Sequence, residues 1–403
     1  MEDLDLTILY EAYDSNMQRI SLDFVRYLYN EINWDVRIIG IKGARGTGKT
    51  TMLLQRIKAK FGEDGNQALY ASLDNIWFNT NSLMDLVRYL DMRGIRNLFL
   101  DEVHKYKGWA QSLKNIYDNY PRMNIVYTGS SLLEIDNSKV DMSRRQTLYT
   151  LEPMSFREYL EYEGIVKLNA VPLSDILEKH TQIAMDITKD TNDIIAHFDN
   201  YLHYGCYPFY KDTGKDFLVR LRETVSTVIE SDVLAVERME FETLNKMKKM
   251  LMIVAAQVPY TPNIKDLCDQ IATTRNIGLK LLYLLDKAKL LRLIMEKTKS
   301  YDNLVKPEKV LLDNPNLMYA LAPNPEIGTV RETFFASQLS YAGQVTSPNK
   351  GDYRVDGKYL FEIGGRKKGF KQIKNIPNSY LAIDNMPIGR GNKIPLWLFG
   401  LMY

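Results

Sequence analysis

A glycine-rich run at residues 43–50, GARGTGKT, has the spacing of a phosphate-binding loop. Its glycines allow backbone N–H groups to turn inward and form a concave site for phosphate oxygens. Lys49 can reach the β- and γ-phosphates of a nucleotide, and the Thr50 hydroxyl can ligate Mg²⁺. The residues that we assign to nucleotide binding are Gly43, Arg45, Gly46, Thr47, Gly48, Lys49, Thr50 and Thr51.

Two adjacent carboxylates supply the second half of such a site. The run at residues 97–102, NLFLDE, is an apolar segment that ends in Asp101 and Glu102. Because burial of unpaired charge is costly, this ending indicates a chemical role. Asp101 can hold the Mg²⁺ shell, and Glu102 can orient and polarise an attacking water. The loop and the carboxylates together predict Mg²⁺-dependent ATP hydrolysis, with Glu102 as a catalytic residue.

These residues need elements that bring them to one edge of a sheet. Short β-branched runs predict strands, and apolar residues at three- and four-residue spacing predict helices. Strands are expected at residues 36–41, 68–73, 97–102 and 124–131, and helices at 50–61, 82–93 and 108–120. A strand, a glycine loop and a helix in this order aim a helix N-terminus at an anion. The alternation predicts an α/β fold with a doubly wound, parallel P-loop sheet.

The same segments resemble a family of prokaryotic AAA+-type ATPases that carry an appended domain of unknown function. The resemblance covers most of the first 165 residues, and the matching runs are residues 43–51, 98–105, 127–131, 143–145 and 151–159. It implies that Ser130 or Thr128 is the polar sensor at the end of the third strand. It also implies that Arg144 and Arg145 include an arginine finger, which can act in cis or from a neighbouring subunit. Adjacent arginines are also common on solvated or ion-paired surfaces, and that alternative stays open.

Composition sets the bounds on these interpretations. The 403 residues are enough for two to four domains, and 45% apolar with 25% charged residues is ordinary for a soluble globular protein. A net charge of +2 restricts any nucleic-acid contact to local patches. The two cysteines, Cys206 and Cys268, give neither a disulfide framework nor a zinc spacing, which favours a reducing, cytoplasmic compartment. We expect no membrane association, because no apolar run approaches the roughly 18 residues that span a bilayer and the N-terminus lacks signal-peptide features.

The chain divides into four predicted parts. Residues 1–155 form the P-loop ATPase core, and residues 156–240 are helical in pattern and resemble the lid that covers the nucleotide in related ATPases. Residues 241–300 are predicted to be a winged helix, with a third helix whose inward-facing residues are Ile277, Leu281, Leu284 and Leu285. In a DNA reader the exposed face of that helix would carry Thr274, Arg275, Asn276 and Lys280. The alternative is a winged helix that serves packing or protein contact.

Residues 301–403 hold a possible second active site. A helical Glu332, then Asp352, then Glu362 on a strand resembles the small α/β restriction-endonuclease-like, or PD-(D/E)XK, nuclease fold. The three carboxylates would be the ligands of a second metal ion. The lysine expected two residues after the strand glutamate is replaced by Gly364, and Lys367 or Lys368 would have to substitute for it. The alternative is a degenerate domain that keeps the fold without cutting.

The sequence therefore predicts an ATPase that uses MgATP to move or license its C-terminal domains. A second hypothesis is an ATP-gated DNA-binding protein or nuclease, for defence or mobile-element control, with duplex DNA as a partner. A third is a non-hydrolysing nucleotide switch for protein partners. An arginine supplied in trans would require self-association.

Overall fold

The computed structural model describes residues 4–62, 67–132, 142, 144–257, 263–295, 305–322 and 324–403. The chain forms two compact units. Unit 1 comprises Met1–Glu152 and Glu230–Arg238, and unit 2 comprises Pro153–Ile229 and Met239–Tyr403. The chain thus enters unit 1 a second time, through nine residues whose neighbours on both sides belong to unit 2.

Unit 1 is built on a five-stranded parallel sheet in the order β2-β3-β4-β1-β5. The strands are β1 (Ile38–Gly43), β2 (Ala68–Ser72), β3 (Asn97–Asp101), β4 (Asn124–Ser130) and β5 (Thr147–Leu151). The inner strands β1, β3 and β4 are apolar and almost wholly buried, as expected for parallel strands that are covered on both faces. The predicted parallel α/β sheet is confirmed.

The helices of unit 1 connect these strands. They are α1 (Thr7–Met17), α2 (Leu28–Glu31), α3 (Lys49–Phe61), α4 (Leu83–Met92) and α5 (Trp109–Asn119), and one further turn, Leu234–Val236, comes from the second passage of the chain. The Ser82 side chain caps α4 by accepting a hydrogen bond from the Asp85 N–H at 3.1 Å. On α5, Trp109, Leu113 and Ile116 are buried in the core. Because β1 and β3 both run parallel to β4, the loop after β1 and the end of β3 lie at the same carboxyl edge of the sheet.

Unit 2 contains most of the helices. They are α6 (Phe156–Tyr162), α7 (Leu173–Asp190), α8 (Ile194–Tyr204), α9 (Tyr210–Thr213), α10 (Phe217–Thr227), α11 (Phe241–Gln257), α12 (Ile264–Gln270), α13 (Arg275–Lys287), α14 (Pro315–Leu321) and α15 (Ile327–Ala342). An aromatic cluster of Phe156, Phe198 and Phe334 joins α6, α8 and α15, with ring centroids 4.8–5.2 Å apart in the contacting pairs. In the described part of the chain, every helix is too short or too polar to cross a membrane.

Two sheets complete unit 2. Strand β6 (Leu291–Ile294) pairs antiparallel with β7 (Lys309–Leu312). A five-stranded mixed sheet has the order β12-β11-β10-β9-β8. Its strands are β8 (Val345–Thr346), β9 (Tyr353–Val355), β10 (Tyr359–Gly364), β11 (Ser379–Ile383) and β12 (Lys393–Pro395). The last three run parallel, and β8, β9 and β10 run antiparallel.

The finer predicted division of unit 2 stays a prediction. Helices occupy most of residues 156–227, whereas residues 230–238 belong to unit 1. The three helices α11 to α13 and the β6–β7 pair follow the order that a winged helix requires, and the predicted boundary at residues 300 and 301 lies outside the described residues. The inward placement of Ile277 is wrong. This side chain is 43% exposed, because the buried stripe of α13 runs through Leu281 and Leu285 instead.

Candidate functional site

The loop between β1 and α3 has the backbone of a phosphate cradle. Gly46 and Gly48 have φ angles of 85° and 93°, in the left-handed region that glycine adopts without strain. A Cβ on Gly43 would lie 2.4 Å from the Leu151 carbonyl oxygen, so only glycine fits where β1 passes β5. Thr51 lies exposed on the first turn of α3.

Lys49 lies folded over this loop. Its side chain is buried, and its Nζ donates to the carbonyl oxygens of Gly43 at 3.0 Å and Ala44 at 2.9 Å. The Thr47 hydroxyl donates to the same Ala44 oxygen at 2.9 Å. Burial lowers the pKa of Lys49, and the nearby carboxylates Glu102 and Asp101 oppose that shift. The Lys49 ammonium is thus held against the carbonyl oxygens at the start of the loop.

Arg26 supports the loop from outside the motif. Its guanidinium is buried and donates to the backbone oxygens of Thr47 and, at 2.7 Å, of Glu152. The contact ties the loop to the end of β5. Sequence reasoning missed Arg26, since nothing in its neighbourhood distinguishes it from a surface arginine.

The Asp101 carboxylate accepts hydrogen bonds from three hydroxyl groups. It is 4% exposed, and it accepts from Thr50 at 2.7 Å, from Tyr70 at 3.0 Å and from Thr128. The Thr50 contact joins the phosphate loop to the carboxylate that the sequence paired with it. Burial, followed by the charge of Asp101, raises the pKa of Tyr70 far above its ordinary value, so Tyr70 remains a hydrogen-bond donor. Tyr70 was missed because its polar tip lies in an otherwise apolar strand.

Glu102 stands beside Asp101 with an unusual backbone. Its φ angle is 52°, which turns the side chain out of the line of β3 and leaves it 23% exposed. The Thr128 hydroxyl accepts from the Glu102 N–H at 3.3 Å, so one hydroxyl holds both acidic residues. The His104 Nε2 lies 3.3 Å from a Glu102 carboxylate oxygen. Glu102 is therefore the carboxylate of this site that can meet water.

Ser130 ends β4 near His104. Its hydroxyl accepts from the Leu132 N–H at 3.3 Å, and its own N–H donates to the His104 Nδ1 at 3.3 Å. The structure thus brings Ser130 and Thr128 to the same carboxyl edge as Asp101 and Glu102. The sensor role of Ser130 stays a prediction.

Arg144 and Arg145 are not brought to this edge. They precede β5, whose first residue pairs with Ile39 near the start of β1. The Arg145 Nε lies 3.1 Å from Asp118 in the last turn of α5, next to the amino end of β4. A strand of this length spans about 17 Å at ~3.3 Å per residue, so the two arginines lie near the far edge of their own sheet. The Arg145 contact is the ion-paired surface that the sequence analysis kept as an alternative. The arginine finger, in cis or in trans, stays a prediction.

Asp232 is the third functional candidate that sequence reasoning missed. It lies in the turn Val228–Val233, which has the wide hydrogen-bonding pattern of a π-helix, and its side chain is 4% exposed. The same carboxylate oxygen lies 3.4 Å from Arg45, 3.3 Å from Lys105 and 3.5 Å from His104. No local pattern could have found it, because 130 residues separate it from Glu102.

The oxygen set fits Mg²⁺. A hard cation of this size is held by one or two carboxylates together with hydroxyl and phosphate oxygens. Thr50 and Asp101 already touch, and Tyr70 and Thr128 orient the carboxylate. Across the described ranges, no group of three or more His, Cys, Asp and Glu side chains could hold a metal ion alone. The nucleotide phosphates would have to complete the coordination.

A second group of charges lies in unit 2. Glu332 on α15 accepts from the Lys309 Nζ at 3.1 Å and from the Tyr353 hydroxyl at 3.2 Å. Asp352 accepts from the Ile363 N–H at 2.7 Å. Burial raises the pKa of Glu332, while Lys309 opposes the shift. Two of the predicted metal ligands are thus engaged in contacts within unit 2.

The third predicted ligand, Glu362, has a lysine partner. It lies in β10 and is 1% exposed, and the Lys368 Nζ lies 2.9 Å from its Oε1. Its Oε2 has no hydrogen-bond partner in the part of the chain that the structure describes. Of the two predicted substitute lysines, Lys368 is the one that reaches this carboxylate. The second metal site stays a prediction.

A basic cleft adjoins this pair. It is open, has a volume of about 810 Å³ and is lined by Arg331, Gly365, Arg366, Lys367, Lys368 and Asn385. The Arg331 Nε lies 2.7 Å from Asp384. On α13, Thr274 is the N-cap, and Arg275, Asn276 and Lys280 are exposed. The structure therefore offers two separate basic surfaces in unit 2.

Comparison with known proteins supports the reading of unit 1. Residues 35–160 match the AAA_14 family, described as an AAA domain. This segment contains the phosphate loop, both acidic residues, Ser130 and the two arginines. The match identifies residues 35–160 as similar to an AAA domain, and the geometry of the loop supports nucleotide binding in general.

Two curated relatives come from the archaeon Methanocaldococcus jannaschii. The chain is 28% identical to the uncharacterized protein MJ1637 over 300 residues, which are 70% of this chain and 62% of that protein. It is 22% identical to the uncharacterized protein MJ1544 over 218 residues, which are 53% of this chain and 45% of that protein. The chain thus spans about three fifths of the length of MJ1637 and less than half of the length of MJ1544.

Solved structures give weaker likenesses. A DNA replication initiation factor and Cdc6p from Pyrobaculum aerophilum are each 13% identical, with TM-scores of 0.26 and 0.27. They cover 70% and 71% of this chain, which covers 93% and 86% of theirs. AMPPCP-bound DnaA from Aquifex aeolicus is 14% identical, with a TM-score of 0.26, and the match covers 70% of this chain and 88% of that one. TM-scores this low do not establish a shared architecture.

Proposed function

We propose that unit 1 binds and hydrolyses MgATP. The observation that carries the proposal is the 2.7 Å contact between Thr50 of the phosphate loop and Asp101 at the end of β3. Two motifs that the chain separates by fifty residues meet at one point. A glycine loop without the carboxylates would bind phosphate, and the carboxylates complete a site that can activate water.

Each side chain has a distinct role. The loop N–H groups and Lys49 bind the phosphates, and Lys49 moves from the loop carbonyls to the phosphate oxygens when they arrive. Thr50 and Asp101 would hold Mg²⁺, which when bound neutralises charge on the transferring phosphoryl group. Glu102 orients the attacking water and acts as the general base that accepts its proton. Ser130 senses the γ-phosphate from the end of β4.

Two substitutions test this assignment. Lys49→Ala should abolish binding of a fluorescent ATP analogue, and Lys60→Ala, on the same helix, is the matched control that should bind like the parent. Glu102→Gln keeps the size and the acceptor for His104, so nucleotide affinity should stay within about threefold. Its turnover should fall by about 10²–10⁴, the usual contribution of a general base. Turnover at the parent rate in Glu102→Gln would overturn the role of Glu102, and binding without turnover in the parent would favour a nucleotide switch.

The arrangement of the chain supports coupling to unit 2. Residues 230–238 belong to unit 1, while the chain on both sides belongs to unit 2. A change at the nucleotide that shifts this segment therefore acts directly on the chain of unit 2. Closure over the γ-phosphate would in this way move or license the C-terminal parts.

The arginine finger is proposed to come from a second copy, since Arg144 and Arg145 lie away from their own phosphate loop. Equal mixtures of Arg144→Ala/Arg145→Ala and Glu102→Gln proteins test this. If the finger acts in trans, the mixture should recover turnover that neither variant shows alone.

DNA handling is the second candidate, and the Glu362–Lys368 pair beside the basic cleft favours it. The affinity for duplex DNA should then fall steeply with salt. The logarithm of the binding constant should decrease with the logarithm of the salt concentration, with a slope of about 0.9 for each phosphate contact. Lys368→Met should weaken binding, whereas Lys358→Met, at the other end of β10, should not. Mg²⁺-dependent cleavage that Glu362→Gln abolishes would identify a nuclease, and binding without cleavage would indicate a degenerate domain.

A further inference from the structure

The second passage of the chain places one carboxylate against the catalytic machinery. Asp232 is contributed by residues 230–238, and it touches Arg45 of the phosphate loop and two residues that follow Glu102. We propose that Asp232 is a positioning residue for hydrolysis, which restrains Arg45 and sets the direction of the His104 N–H. This inference rests on the proposed function of unit 1.

The tautomer of His104 follows from its neighbours. The Nδ1 accepts from the Ser130 N–H at 3.3 Å, so in the neutral ring the proton is on Nε2. That nitrogen is buried and lies 3.3 Å from Glu102 and 3.5 Å from Asp232, without a well-directed hydrogen bond to either. The one N–H group therefore lies within reach of both carboxylates. While Asp232 also attracts this N–H group, the carboxylate oxygens of Glu102 stay available to accept a hydrogen bond from water.

Arg45 is restrained by the same oxygen. Its guanidinium lies 3.4 Å from Asp232 and is 38% exposed, so the ion pair lies at the rim of the site. Lys105 contacts Asp232 at 3.3 Å and also donates to the Ser231 hydroxyl. Burial raises the pKa of Asp232, but His104, Lys105 and Arg45 together outweigh it, so the pKa lies below its ordinary value. Asp232 therefore stays charged and keeps Arg45 away from the phosphate cradle.

Loss of the Asp232 charge should strengthen nucleotide binding and slow turnover. Without Asp232, Arg45 is released toward the phosphates and one negative charge near them disappears, so nucleotide should bind more tightly. At the same time Glu102 is left as the charged acceptor beside the His104 N–H, so this N–H turns toward Glu102, which then holds water less well. A merely structural residue would instead weaken binding and turnover together.

Asp232→Asn is the test, because it keeps the shape and an acceptor oxygen. Its affinity for a fluorescent ATP analogue should rise by about three- to fivefold, the range of a rim ion pair. Its kcat should fall by about tenfold, a modest cost for a displaced catalytic group. In Asp232→Asn/Arg45→Ala the gain in affinity should disappear. Asp91→Asn, which removes a comparable surface ion pair with Arg96 in unit 1, should change neither quantity.

Further outcomes separate this inference from the function on which it rests. Asp232→Glu keeps the charge, so it should return affinity to within twofold of the parent and recover part of the kcat; it also serves if Asp232→Asn fails to fold. Weaker binding by Asp232→Asn, or an unchanged kcat, overturns the inference. If the parent itself does not turn over ATP, the proposed hydrolysis fails, and the affinity measurements alone still decide whether Asp232 restrains Arg45.

Discussion

Thr128→Val removes one hydroxyl that holds both acidic residues of the site. Thr128 is fully buried, donates to Asp101 and accepts from the Glu102 N–H at 3.3 Å. Valine has nearly the same shape and suits a strand equally well. The substitution therefore tests the hydrogen bonds rather than the packing.

The expected loss of stability is about 3 kcal/mol. A hydrogen bond to a charged group contributes about 1.5–3 kcal/mol, and a donor left without an acceptor costs about 1–3 kcal/mol. The Glu102 N–H is only partly buried, so water can satisfy it in part, and its share lies near the lower limit. Because Asp101 also loses one of its three orienting donors, the Mg²⁺ concentration for half-maximal turnover should rise by about tenfold.

Urea unfolding followed by tryptophan fluorescence measures the first effect. Trp34, Trp77 and Trp109, three of the four tryptophans, are in unit 1, so the signal reports mainly on the unit that carries the substitution. Thr150→Val on β5 is the matched control. No hydrogen bond of the Thr150 hydroxyl occurs within the described ranges. The free energy of unfolding of Thr150→Val should therefore differ from that of the parent by less than about 0.5 kcal/mol. A loss below about 1 kcal/mol in Thr128→Val, with Mg²⁺ dependence within twofold of the parent, would refute the reasoning.

Three further predictions concern packing and reactivity. Gly40→Ala would place a Cβ 2.6 Å from the Tyr127 ring, and overpacking of this kind should cost about 1–3 kcal/mol in urea unfolding. Asn316→Leu removes the acceptor of the Cys206 N–H at 2.8 Å in a fully buried site and should destabilise unit 2 by about 2–4 kcal/mol, measured by differential scanning calorimetry. Burial raises the pKa of Cys206 to about 12, so alkylation at pH 8, read by mass spectrometry, should require unfolding; labelling of the native protein at the rate of a free thiol would contradict this.

Local patterns were sufficient for the site's first half. The spacing of the phosphate loop and the acidic ending of β3 are contiguous signals, and parallel strand order alone brings Lys49, Asp101 and Ser130 to one edge. The capping residues Ser82, Asn263 and Thr274 also lie where their type predicts.

The remaining contacts depend on tertiary structure. Arg26 and Asp232 reach the loop from elements with no motif of their own, and only the folded chain shows these contacts. The arginine finger illustrates the opposite case. Arg144 and Arg145 lie within the matched segment, but β5, which follows them, begins beside the amino end of β1 rather than beside the phosphate loop.

The divided composition of unit 1 also sets an order of events during synthesis. The ribosome releases the whole parallel sheet by residue 152, but the segment that carries Asp232 follows only after the 77 residues Pro153–Ile229. At about 5–20 residues per second, this interval lasts about 4–15 s. During that time the nascent sheet exists without the carboxylate that restrains Arg45, and the helices of unit 2 that precede Glu230 emerge first. Completion of the proposed nucleotide site therefore waits for part of unit 2 to be made, which links the maturation of the two units.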